Sequence, residues 1–195
     1  MIAVLSGCLT SLHPLFTIKD LVFEPKFTGK WVGDKDGDTV LYEKGSAQSF
    51  RDLPETLQGS ADKAYMVTII GRDKSRYKYF AFLVKIGNGL YFDYYPADVE
   101  QQREYDDSYR EQFIKMHSFY RVKLHTEMSM LISEFDDSFL HNLIDKKQIR
   151  IQHETRFDGS YFITASTEEL QQYVMKYGDV PEAYSNSGDA YHKVK

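Results

Sequence analysis

The segment from Tyr77 to Tyr95 restricts the architecture of this chain more than any other. Two apolar-rich runs, Tyr77 to Ile86 and Leu90 to Tyr95, flank Gly87-Asn88-Gly89. Asn-Gly tolerates the positive φ of a tight turn, so the two runs read as an antiparallel hairpin. Phe80, Phe82, Val84 and Ile86 alternate onto one face, and Tyr79, Ala81, Leu83, Phe92 and Tyr94 onto the other. Both sides are apolar enough to be covered. Asp93 falls on the Phe80 face together with Tyr91 and Tyr95. A loop at Asn88-Gly89 pairs it with Val84, and a loop at Gly87-Asn88 pairs it with Phe82. Parity keeps it on the same face either way. A carboxylate there is costly unless paired or wet. Asp93, Tyr91, Tyr95 and Phe82 therefore form a candidate ligand pocket with an acidic, aromatic lining. The competing reading leaves the Phe80 face only half buried, or places Asp93 near a rim, paired with a Lys or Arg.

The rest of the chain supplies more strands. Lys30 to Gly33 and Thr39 to Glu43 flank an Asp-Gly turn at residues 34–38, and Ala64 to Ile70 is a β-branched run. His117 to Leu124 and Met128 to Ser133 form a second hairpin, with Tyr120, Val122 and Leu124 on one face and Met128, Met130 and Ile132 likewise aligned. Residues 45–62 read as a loop. The spacing of Tyr105, Tyr109 and Phe113 predicts a helical excursion within 98–115. A helix starting near Asp136 to Ser138 buries Phe139, Leu140, Leu143 and Ile144 and ends at Lys146 and Lys147. Ser166-Thr167-Glu168-Glu169 is a capping box for another helix, with Leu170, Tyr173, Val174 and Tyr177 inward and Gly178 as its stop. Ile149 to His153 and Tyr161 to Ala165 read as strands between the helices. Residues 180–195 read as loosely held, with a last short strand at Ala190 to Val194.

Composition excludes several classes. Hydrophobic residues make up 42% and charged residues 27%, which is unlike a disordered chain. The net charge of −5 argues against nucleic acid as the main partner. A single Cys excludes an internal disulfide and multi-cysteine metal sites, and no apolar run reaches the length of a membrane span. The unusual feature is aromatic: 15 Tyr, 13 Phe and one Trp. Tyrosine carries apolar area with a polar tip, which suits barrels and binding faces.

The N-terminus speaks about address. Leu5-Ser6-Gly7-Cys8 resembles the lipobox of bacterial lipoproteins. The resemblance implies cleavage before Cys8 and acylation of its sulfur. Residues 1–7 are then a truncated signal-peptide remnant, because no Lys or Arg precedes the apolar stretch. Residues 8–26 are a lipidated tether that soon packs against the body, and 27–195 are one β-rich domain. The alternative for Cys8 is a buried thiol in a first strand. Leu9 in place of an Asp after the cysteine leans toward the outer membrane, so the expected location is the bacterial cell envelope, facing the periplasm or the cell surface.

Gly29-x-Trp31 at the first strand resembles the signature of the lipocalin-like (calycin) superfamily, in which the Trp plugs one end of an antiparallel barrel. The second lipocalin signature, Thr-Asp-Tyr, is absent. The run of lipobox, Ser11-Leu12-His13-Pro14-Leu15-Phe16, Lys19-Asp20-Leu21-Val22-Phe23 and Gly29-x-Trp31 also looks like a group of bacterial lipoproteins with no known activity. The expected fold is mainly β (α+β): an antiparallel, strongly curved sheet or lipocalin-like barrel with two or three peripheral helices.

No catalytic or metal motif stands out. Asp34, Asp36 and Asp38 invite a calcium loop, but Thr39 and Gly45 occupy the positions where that template needs Gly and Glu. His117, His125 and Glu127 could meet near one strand end, yet His125 to Glu127 reads as the hairpin turn itself. The expectation is a non-enzymatic, lipid-anchored binder of an apolar or aromatic small ligand, without cofactor or metal. The alternative is a protein-interaction module, such as an envelope assembly factor or inhibitor. A hydrolase using Asp93 ranks third and requires a His within hydrogen-bond reach of that carboxylate.

Overall fold

The computed structural model describes residues 9–51, 53, 55–97, 114–157, 159–185 and 188–194. The expected lipobox, Leu5 to Cys8, lies outside them, as does the helical excursion expected at 98–115 apart from Ile114 and Lys115.

After a short strand β1 (Thr10–Ser11), seven strands follow one another as a meander: β2 (Gly29–Gly33), β3 (Thr39–Lys44), β4 (Ala64–Ile70), β5 (Arg76–Ile86), β6 (Gly89–Pro96), β7 (His117–Thr126) and β8 (Ser129–Glu134). Two further strands, β9 (His153–Thr155) and β10 (Tyr161–Ile163), pair with each other, and β10 runs parallel to β1. The last strand, β11 (Asp189–Val194), inserts between β8 and β2. Eight antiparallel strands, β2 to β8 and β11, thus close into a barrel. Closure removes the exposed edges that an open sheet would carry.

The hairpin at 77–95 takes the register that pairs Phe82 with Asp93 and Ile86 with Gly89, so Gly87 and Asn88 form the turn. Gly87 adopts φ 57°, as that turn requires. At the Asp34 to Asp38 turn Gly37 does the same, with φ 68°. Three segments differ from the sequence expectation. Residues 45–62 are not an extended loop but contain two single-turn helices, α1 (Ala47–Phe50) and α2 (Glu55–Gln58), because Phe50, Leu53 and Leu57 turn inward and are buried. The strand expected at Ile149 to His153 forms later, at His153–Thr155, since Ile151 is drawn into the core. The C-terminal segment is not loosely held: β11 is the stave that closes the ring.

Between β8 and β11 the chain leaves the barrel to form α3 (Asp137–Asp145) and α4 (Thr167–Tyr177). Asp136 caps α3 by accepting the Ser138 N–H at 2.8 Å. Ser166 and Glu169 exchange hydrogen bonds at the start of α4, as the capping box predicts. Arg121 on β7 donates to Gly178 O and pairs with Asp179, which ties the end of α4 to the barrel wall.

Two apolar cores result. The first fills the barrel lumen with Phe27, Trp31, Tyr42, Leu83, Phe92 and Met130 among others. The second lies on the outer wall, where Phe80, Phe82, Val84 and Phe119 meet Leu15 and Phe16 of the N-terminal segment and Leu140, Leu170 and Tyr173 of the two helices. Leu9, the first described residue, is already packed against the body and is 4% exposed.

Candidate functional site

The two ends of the lumen differ. At one end, Phe27 follows Pro25 in a 3-10 turn and enters the barrel ahead of β2. Trp31 is fully buried beside it and donates its indole N–H to Phe27 O at 2.8 Å. The Lys193 ammonium lies 5.2 Å from the Trp31 ring centroid, a cation–π contact across the β2–β11 pair. This end is filled by its own side chains, as the Gly-x-Trp resemblance implies for Trp31.

The other end is open. There the lumen keeps a cavity of about 160 Å³, whose rim is formed where β3 and β11 begin and where β4 and β8 finish. Tyr42, Tyr77, Tyr79, Tyr94, Tyr120 and Tyr191 line it, with Val40, Ile69 and Ile132 between them. Strand parity explains why: Tyr77 and Tyr79 alternate inward on β5, Tyr94 on β6, Tyr120 on β7 and Tyr191 on β11. Rings meet edge to face, Tyr94 with Tyr120 at 5.5 Å and Tyr79 with Tyr94 at 6.0 Å.

Two hydroxyls meet in the buried part. Tyr42 OH and Tyr94 OH are 2.5 Å apart, and the residues are 1% and 8% exposed. Burial and the neighbouring phenol hold Tyr42 well above the usual tyrosine range, and burial does the same for Tyr94. The rim is acidic. Asp38, Glu134 and Asp189 line the cavity, and among the described residues no Lys, Arg or His does. Burial, reinforced by Asp189, Asp38 and Asp36, pushes the Tyr191 phenol up to about 12.

Phe82, Tyr91, Asp93 and Tyr95 do share one face, but that face is the outer wall of the barrel and not the lumen. The hairpin's two faces are equally apolar, so its pattern could not say which turns inward. The face is covered by the N-terminal segment and the helices. Phe16 packs on Phe82 with ring centroids 4.5 Å apart, and Tyr91 stacks with Phe135 at 6.1 Å. Close packing extends to α4, where a Cβ at Gly178 would sit 2.2 Å from the Tyr91 hydroxyl. Asp93 is completely buried. Its Oδ2 accepts the Leu15 N–H at 2.7 Å, and its Oδ1 lies 2.7 Å from His117 Nδ1. With the carboxylate ionised the imidazole nitrogen is the donor. The Tyr95 ring packs tilted against that imidazole, with centroids 4.7 Å apart.

A His does therefore reach Asp93. Among the described residues the imidazole makes no hydrogen bond to a hydroxyl or thiol, and both carboxylate oxygens are already committed. His125 stands at the far end of β7 from His117. Asp34 pairs instead with His192 at 2.7 Å, and among the described residues no three His, Cys, Asp or Glu side chains converge as a metal site would require. Nor is any helix among them long and apolar enough to cross a membrane.

No protein-family model matches the chain, and no curated protein or solved structure is significantly similar to it. The site is thus read from its own geometry. Sequence reasoning missed it as a site because the tyrosines come from five different strands. Their abundance was the available signal.

Proposed function

We propose that the protein binds a small, compact ligand in the tyrosine-lined end of its barrel, on a body held at the bacterial cell envelope by acylated Cys8. The observation that carries the binding reading is the contrast between the two ends of one lumen. An eight-stranded barrel is just wide enough either to be filled by side chains or to hold one small ligand. Here Phe27 and Trp31 fill one end, while about 160 Å³ stays open at the other. An apolar cavity of about 150 Å³ accommodates a benzene-sized molecule.

The anchor rests on the lipobox sequence. Because Leu9 is already packed, an acyl chain on Cys8 holds the barrel directly against the bilayer, with almost no free tether. Binding without catalysis is supported by the setting of the Asp93–His117 pair, which fastens the N-terminal segment to the wall. The interaction-module reading has less behind it: among the described residues the exposed large apolar ones, Ile18, Ile114, Met128, Phe157 and Met175, come from five separate segments.

Titration of the isotope-labelled protein with p-cresol, followed by NMR, tests the binding reading. Shifts confined to the strands around Tyr42, Tyr94, Tyr120 and Tyr191, lost in Ile69→Trp and Val40→Phe variants that fill the cavity, support it. Absence of any shift up to the solubility limit refutes it. Fractionation of Cys8→Ser from a bacterial host tests the anchor: release from membranes is expected, and unchanged partitioning contradicts it.

A further inference from the structure

We infer that the ligand is a small organic cation, an ammonium compound that also carries an oxygen acceptor. This deepens the binding reading and depends on it. The first observation is the chemistry of the lining. A cation set against the face of a tyrosine ring meets the negative side of its quadrupole, and it gains most when it is desolvated. Six tyrosines surround this cavity.

The second observation is the sign of the rim. Three carboxylates, Asp38, Glu134 and Asp189, look onto the cavity without a basic side chain among the described lining residues. Asp189 is met from outside by Lys35 at 4.0 Å, on a solvent-exposed pair that contributes little. Asp38 and Glu134 have no such partner among the described residues. Asp189 and Asp38 do act on the lumen, because together with burial they help to hold the Tyr191 phenol in its neutral form. An anionic ligand would meet both the ring faces and the rim with the wrong sign.

The third observation is the hydroxyl pair. Tyr42 and Tyr94 are hydrogen-bonded to each other, and only one of the two protons can lie in that bond. Among the described residues neither hydroxyl has another partner. One O–H, on a side chain more than nine-tenths buried, is left to donate into the cavity. A hydroxyl or carbonyl oxygen on the ligand satisfies it, with the ammonium placed toward the acidic mouth. The steric limit is about 160 Å³, which suits an amino alcohol and not a long acyl chain.

Calorimetric titration of the intact protein with choline and with its uncharged isostere 3,3-dimethylbutan-1-ol tests the inference, because the two differ in charge and hardly in shape. Choline is expected to bind about tenfold tighter. In Asp38→Asn/Glu134→Gln that preference is expected to fall below about twofold while the neutral alcohol is unaffected. Should the double variant fail to fold, salt keeps the question open in the unmodified protein: raising it from low to high must weaken choline and leave the alcohol unchanged. Equal binding of the two probes overturns the cation inference and leaves the cavity reading standing. Binding of neither overturns the cation inference, and the cavity reading falls with it only where p-cresol also leaves the spectrum unshifted. A choline preference that survives the double variant and high salt overturns the role of the rim.

Discussion

Asp93 Oδ2 accepts the backbone N–H of Leu15 at 2.7 Å and so joins residues 78 positions apart. With His117 on its other oxygen, the carboxylate works as a rivet between the barrel wall and the N-terminal segment. Removing it strands two buried donors. Asp93→Ala is expected to cost about 3–5 kcal/mol, the range for breaking a buried pair on one side. Asp93→Asn, which keeps an acceptor for Leu15, is expected to cost clearly less. Urea unfolding measures both, and a loss below about 1 kcal/mol for the alanine variant would show that the rivet holds nothing.

Trp31 closes the filled end of the lumen, and its indole N–H is bonded to Phe27 O. Truncation to Ala removes the largest side chain of the inner core and is expected to cost about 3–5 kcal/mol. Denaturant unfolding is again the measurement. A cost below about 1 kcal/mol would place the ring outside the core.

Tyrosine titration reports on the buried phenols, those of the open end among them. Burial raises Tyr42, Tyr94 and Tyr191 above the ordinary value of 10.0, Tyr191 to about 12. A raised phenol pKa means that the unfolded chain ionises first, so stability falls as pH rises above 10 toward the folded-state value. Absorbance at alkaline pH is expected to show an early group of exposed phenols and a late group that ionises together with loss of β-sheet circular dichroism. A single transition near the ordinary value with the fold intact would contradict the buried cluster.

At the acid end the sensor is Asp20. Burial acts to raise its pKa, but the Thr17 N–H, the Gln171 amide and the Thr17 hydroxyl outweigh it, and the net shift is downward from 3.8. A depressed carboxyl pKa gives stability that is complete above the unfolded-state value and is lost as pH falls through the folded one. Since Gln171 also donates to Leu15 O, the N-terminal segment is expected to loosen from α4 below about pH 4. The amide resonance of Thr17 follows this directly, and Asp20→Asn should abolish the transition. An unchanged Thr17 signal through acid would refute the coupling.

Much of the barrel was legible in local pattern. The Gly87-Asn88 turn fixes its own hairpin, Ser166 and Glu169 announce α4, and Val122 and Met130 alternate onto the lumen side. What pattern could not supply was orientation and closure. Asp93 was visible as a costly carboxylate, but two equally apolar faces hid which one is inside. The closing role of β11 was hidden too, because every residue from Asp189 to Val194 keeps some exposure and the run carries little apolar signal. Tyr42, Tyr94, Tyr120 and Tyr191 converge only once the ring is closed, so the site depends on long-range pairing that no window of sequence contains.

The tyrosine end of the lumen is a preformed cavity. A crystal structure determined under xenon pressure tests it most directly, since xenon enters apolar cavities of this size. One strong xenon peak is expected inside the barrel between Tyr42, Ile69, Tyr94 and Ile132. A collapsed lumen, with those side chains in mutual contact and no xenon between them, would contradict it.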